Sequence, residues 1–162
     1  MRSLLLAGGR SSRMGCDKAL VEIDGSAMIE RAAISLANAN LEPIRIAVAQ
    51  PEDVEVYGSA IGPDLDMEWV LDSMAHAGPI EAIEEALLDP ECEDGVLQLA
   101  TVDYPWVSSD LFVSLQDRLA ADDCLIMPHD GKRGHPLLSL IRTREVLKII
   151  EGDRRPLRVQ LA

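Results

Sequence analysis

The sequence is poor in aromatic residues, in cysteine and in positive charge, and each shortage removes a class of function. Two Trp, two Tyr and one Phe among 162 residues leave too few rings for the stacking platforms that hold single-stranded nucleic acid. The three cysteines, Cys16, Cys92 and Cys124, are far apart, odd in number and without a CxxC pair. That pattern argues against a disulfide framework or a structural zinc site. The formal net charge is -13, whereas nucleic acid and anionic membranes both reward a basic face, so neither is expected as a partner. No apolar run approaches membrane-spanning length. The short run after Arg2 ends at Gly8-Gly9, too soon for a signal peptide. A soluble, cytoplasmic protein is the expectation.

What remains is apolar enough to fold: 48% of the residues are hydrophobic, and no repeat or low-complexity tract is visible. The length suits one domain over residues 1–162. Short apolar runs alternate with helical patterns, which predicts a three-layer α/β/α domain with a mostly parallel sheet. Strands are expected at residues 4–7, 44–49, 67–71 and 96–101, with two more at 124–127 and 136–140 flanking the turn "HDGKRG". Helices are expected from a Ser26 cap to about residue 40, from Pro51 toward Tyr57, and from Gly78-Pro79 to Leu88. Two more are expected, from a Ser108 or Ser109 cap to Leu119 and from Thr143 to Ile150.

The stretch "LLLAGGRSSRMGCDKAL" carries the chemistry. Ligands of parallel α/β sheets sit beyond the carboxyl ends of the strands, and Gly8 and Gly9 follow the first strand directly. Lacking Cβ atoms, they let the backbone approach a base or phosphate. Arg10 and Arg13 can fork onto phosphate oxygens, and Lys18 is a compact point charge. The spacing is neither a Walker A loop nor the dinucleotide GxGxxG. Two readings stand at this point, an anion-binding loop or a strand turn with solvated basic residues.

Other residues are similarly double. Asp103 leaves the fourth strand as either a ligand for a hard cation or a turn acid before Pro105. Asp72 is a nucleotide contact or a loop acid. Gly78-Pro79 opens a helix whose N-terminus can receive a phosphate, although Glu81 opposes this. Cys124, His129 and His135 match no zinc template, Cys16 reads as a small spacer, and Arg154 and Arg155 are phosphate contacts or solvated charges.

"LAGGRSSRMGCDKAL" resembles the opening signature of the molybdenum cofactor guanylyltransferases of the MobA type, approximately LAGGxSxRMGxDKxLL. Sugar-nucleotide pyrophosphorylases normally place Pro where this chain has Ala19. Molybdopterin cytidylyltransferases usually lack the counterparts of Gly8 and Asp17. Four later stretches are similar to the family's segments in the same order: "VLDSMAHAGPIEAI", "LATVDYPWVSSDL", "HDGKRGHPLLSLI" and "EGDRRPLRVQL".

The resemblance implies a fold of the nucleotide-diphospho-sugar transferase type and transfer of GMP from GTP to molybdopterin, with Mg²⁺ required and pyrophosphate released. Leu6, Ala7 and Gly8 would line the guanine pocket through their backbone, within a nucleotide loop that includes Gly9 and Arg10. Lys18 would hold phosphates, Asp72 would contact the nucleotide, and Asp103 would bind nucleotide and metal. Arg13, Lys18 and Asp103 are the expected catalytic set, and Gly78, Pro79, Arg133, His135 and Arg155 the expected acceptor contacts.

Three departures stand out. The family's Asn at the second strand's exit is replaced by "IAVAQP", where Gln50 is the candidate substitute. Its GPLAG becomes Gly78-Pro79-Ile80-Glu81-Ala82. Family members also generally continue beyond the position of Ala162, which bears on the acceptor more than on the nucleotide. Alternatives are a related nucleotidyltransferase, such as a cytidylyltransferase acting on molybdopterin, or a catalytically weak nucleotide-binding module working with a protein partner in cofactor assembly.

Overall fold

Leu4, Leu5 and Leu6 are consecutive apolar residues because their strand is covered on both faces, as in any buried parallel sheet. In the computed structural model, which describes residues 1–7, 17–72, 78–92, 95–153 and 155–161, this strand is β1 (Arg2–Leu6). Leu5 belongs to one hydrophobic cluster, and Leu4 and Leu6 belong to the other. A two-residue hairpin follows, β2 (Glu22–Ile23) and β3 (Ser26–Ala27). Then come α1 (Met28–Asn38), β4 (Ile44–Val48), α2 (Pro51–Ile61), β5 (Met67–Leu71) and α3 (Pro79–Leu88). The chain continues through β6 (Val96–Thr101), α4 (Ser109–Arg118), β7 (Leu125–Ile126), β8 (Leu140–Arg142), α5 (Thr143–Ile150) and α6 (Leu157–Gln160).

Among the described residues the main sheet has the order β5-β4-β1-β6-β8-β7. The first four neighbours are parallel, and β8 runs antiparallel to both β6 and β7. The chain builds outward from β1 through β4 to β5, then returns to the other side of β1 at β6. The crevice at such a reversal is where open α/β sheets bind ligands. Helices α1, α2 and α4 supply Ile29, Leu36, Tyr57, Ile61 and Phe112 to one cluster. Helices α3, α5 and α6 supply Ile83, Leu87, Val146, Ile150 and Leu157 to the other. The expected three layers are therefore present.

Several local expectations shift. Ser26 is not the cap of α1: it lies in the hairpin, where Asp24 and Gly25 take φ of 52° and 78°, the conformation that an Asp-Gly two-residue turn favours. Its hydroxyl donates to Glu30, and Ala27 stands at the cap position. Helix α2 runs past Tyr57 to Ile61, because Tyr57 and Ile61 bury the same helical face. It ends before Gly62, whose φ is 89°.

The strand expected at residues 136–140 begins only at Leu140. Pro136–Leu138 is a 3-10 turn, since Pro136 has no N–H for a ladder. The buried Gln98 amide on β6 donates to the carbonyls of Leu138 (2.9 Å) and Ser139 (3.2 Å) instead.

Candidate functional site

Register brings the strand exits level: Leu6 pairs with Thr101, and Val48 with Leu71. The residues that follow these strands surround a cleft of about 270 Å³. Leu6 and Ala7 lie at its base, and Gln50, Asp72 and Asp103 come from the exits of β4, β5 and β6. The start of helix α3 contributes Pro79 and Ala82, with its cap residue Gly78.

Gly78 has φ of 117°, a conformation that side chains other than glycine's rarely adopt. Pro79 then occupies the first helical position, where its missing N–H costs nothing. At position 82, where the resembling family has a second glycine, the Ala82 methyl packs into the core and lines the cleft.

Of the residues expected to be catalytic, the structure brings two into contact. The Lys18 ammonium donates to Asp103 Oδ1 at 2.6 Å, with the two side chains 38% and 47% exposed. Lys18 opens a 3-10 turn, Lys18–Leu20, that Asp17 caps by accepting from the Ala19 N–H at 3.0 Å. The other Asp17 oxygen accepts from the Tyr57 hydroxyl at 2.6 Å.

Gln50 caps α2 in a reciprocal box with Asp53, whose carboxylate accepts from the Gln50 N–H at 3.1 Å. Gln50 thus reaches the cleft with its side chain already engaged by the helix. Four carboxylates, Asp17, Asp53, Asp72 and Asp103, line the cleft. A polyanion entering there needs positive charge from Lys18, from the basic loop or from a bound cation. No cluster of three or more metal-ligating side chains occurs among the described residues. A hard cation that takes one or two carboxylates and completes its shell with phosphate oxygens does not require one.

The expected acceptor residues divide. Gly78 and Pro79 line the cleft, whereas Arg133, His135 and Arg155 are not among the described residues that do. The connection carrying His135 still reaches the site through Leu137. His135 Nδ1 lies 3.1 Å from the Tyr104 hydroxyl, and its Nε2 lies 3.0 Å from Asp130 Oδ2. The two rings meet edge to face at 5.2 Å. Backbone N–H groups of Arg133 and Lys132 hold the Asp130 carboxyl far below the usual range, and His135 adds to this. Arg155 is spent locally on Asp153, at 2.6 Å. Gly8, Gly9, Arg10, Arg13, Cys16 and Arg154 lie outside the described residues.

Sequence reasoning reaches neither Tyr57 nor Asp53 as cleft residues. The available signal is their spacing from Gln50, which puts positions 50, 53 and 57 on one face of a helix.

A family model for the MobA-like NTP transferase domain matches residues 3–161. The chain belongs to the MobA-like NTP transferase family. As a member it is a nucleotidyltransferase, and the sequence resemblance is borne out. It is 29% identical over 157 residues to the molybdenum cofactor guanylyltransferase of Photobacterium profundum, covering 94% of this chain and 76% of that one. It is 30% identical over 154 residues to a probable molybdenum cofactor guanylyltransferase of Pelotomaculum thermopropionicum, covering 94% and 68%.

Solved structures agree in fold. The molybdopterin-guanine dinucleotide biosynthesis protein A of Archaeoglobus fulgidus superposes with a TM-score of 0.71 at 22% identity, over 99% of this chain and 78% of that one. The bifunctional IspDF of Campylobacter jejuni gives 0.73 at 15% identity, over 99% and 46%.

Proposed function

We propose that this chain is a molybdenum cofactor guanylyltransferase that transfers GMP from GTP to the terminal phosphate of molybdopterin and releases pyrophosphate. The observation that carries the reading is the Lys18–Asp103 pair at 2.6 Å, whose Asp103 lines the cleft at the strand exits. The names of the relatives support the guanylyl donor and the molybdopterin acceptor. They do not favour the cytidylyl alternative.

The acceptor phosphate is already ionised, so the reaction needs little general-base help, and positioning with charge neutralisation supplies most of the catalysis. In this reading Leu6, Ala7, Gly8 and Gly9 give their backbone to the base. Lys18 exchanges Asp103 for the triphosphate, while Arg10 and Arg13 take up further charge. Asp72 contacts the nucleotide.

Asp103 presents hard oxygen donors suited to Mg²⁺, and exchange of Lys18 onto phosphate frees Oδ1 for it. Bound there, the ion would neutralise charge on the triphosphate and leaving pyrophosphate. Gly78 and Pro79 face the acceptor; Arg133, His135 and Arg155 would reach it only as outer contacts, Arg155 by leaving Asp153 and His135 by leaving Asp130. With GTP as its donor, the protein in this reading works in the cytoplasm.

The test is pyrophosphate release with GTP, CTP, ATP and UTP in turn, with and without molybdopterin and Mg²⁺. Release that requires GTP, molybdopterin and the metal together is expected. Release with CTP alone refutes the guanylyl donor, and no release with any combination favours a nucleotide-binding module.

A further inference from the structure

The start of the turn that carries Lys18 is fastened from two sides. On one side the Lys18 ammonium reaches Asp103 beyond β6. On the other, Asp17 is held by a residue of α2, a helix that packs beside β4 on the far side of β1. Tyr57 is the buried member of that contact: its ring lies in the hydrophobic cluster, and its hydroxyl donates to Asp17 Oδ2 at 2.6 Å. The second oxygen, Oδ1, accepts from the Ala19 N–H at 3.0 Å and thereby starts the 3-10 turn at Lys18. A chain of contacts, Tyr57 to Asp17 to the turn to Lys18 to Asp103, thus crosses the carboxyl end of β1.

We infer that Tyr57 is a positioning residue for Lys18, acting through Asp17. The inference rests on the guanylyltransferase reading for its kinetic consequence but not for its geometry. A lysine ammonium is a point charge on a flexible four-carbon stem, so its placement depends on how firmly its backbone is held. The Tyr57 hydroxyl orients the Asp17 carboxylate, and the oriented carboxylate fixes the first turn of the segment. Lys18 is then set where charge develops on the triphosphate, and Tyr57 acts on it through the Asp17 carboxylate. Catalysis by preorganised charge is sensitive to such supports.

Tyr57→Phe keeps the ring in the core and deletes the hydroxyl alone. We expect kcat to fall about tenfold, with KM for GTP changing less than about threefold, because the lost interaction acts in the transition state. In an Asp17→Ala background the same substitution costs clearly less, because the part of its effect that passes through Asp17 is already gone. Hydrogen exchange of the Ala19 amide quickens about tenfold in Tyr57→Phe, while amides of β6 exchange as in the wild type.

An unchanged kcat, or an equal loss in both backgrounds, overturns the positioning role, and unchanged Ala19 exchange overturns the bridge itself. A wild-type chain inactive with every nucleotide refutes the guanylyltransferase reading. Ala19 exchange decides the bridge in that case as well.

Discussion

The two ends of the sheet treat charge in opposite ways. At the amino-terminal end, Arg2 of β1 pairs with Glu68 at 2.8 Å and with Glu91 at 2.7 Å. Arg45 of β4 pairs with Asp89 at 2.5 Å and lies 3.7 Å from Glu68. Two arginines and three acids from β1, β4, β5 and the segment after α3 nearly neutralise one another. The Glu91 backbone N–H and the Arg45 side chain hold the Asp89 carboxyl below the usual range.

At the carboxyl-terminal end, four carboxylates line one cleft, and Lys18 is bound to one of them. The same strands therefore carry a network of paired arginines and acids at one end and a cluster of cleft carboxylates at the other. A paired network stabilises the chain by itself, whereas in the proposed reading the acidic cleft is completed by a ligand that brings phosphate and cation together.

Breaking the cleft end should cost the most activity. Lys18→Ala and Asp103→Ala are each expected to lower pyrophosphate release by about 10²–10³-fold, with unchanged circular dichroism. Near-wild-type turnover by Asp103→Ala would remove its metal role. Breaking the paired end should move stability instead. Arg45→Met leaves Asp89 without its buried partner and is expected to cost about 2 kcal/mol in urea unfolding, with kcat retained below the melting range. A loss of turnover without destabilisation would end the division of labour.

The smallest effect sharpens the same contrast through pH. The Asp89 carboxyl is depressed from its ordinary value of 3.8, so the stability it contributes is present above that value and fades as pH falls through its folded pKa. Asp89→Asn should be less stable than wild type at neutral pH, with the gap closing below about pH 4. A gap of constant size in acid unfolding would show that the charge of Asp89 contributes nothing.

Legibility in the sequence followed the range of the interactions concerned. Strands β1, β4 and β6 were readable because a strand buried on both faces must be a short, nearly unbroken apolar run. The span of α3 was readable from Gly78-Pro79 and the spacing of Ile80, Ile83 and Leu87. The hairpin around Asp24-Gly25 was missed because Ser26 is also a good helix cap, and the competing turn conformation prevailed. The late start of β8 depended on Gln98, forty residues away, satisfying the turn carbonyls.

In the cleft, Asp103, Asp72 and Gly78 could be placed by their positions at strand exits and a helix start. The engagement of His135 by Tyr104 and Asp130 could not, and neither could the local pairing of Arg155 with Asp153.

The sequence by itself determined the class of fold, the run of elements and the family, because periodicity, turn residues and an ordered motif series are written along the chain. It also placed the basic loop after the first strand. Tertiary structure alone decided which of those residues meet. Lys18 and Asp103 are 85 positions apart, and Asp17 and Tyr57 are 40 apart. Their encounters depend on strand order, on register and on the helix that packs beside β4. Those are set by how whole faces bury one another, and no local pattern encodes them.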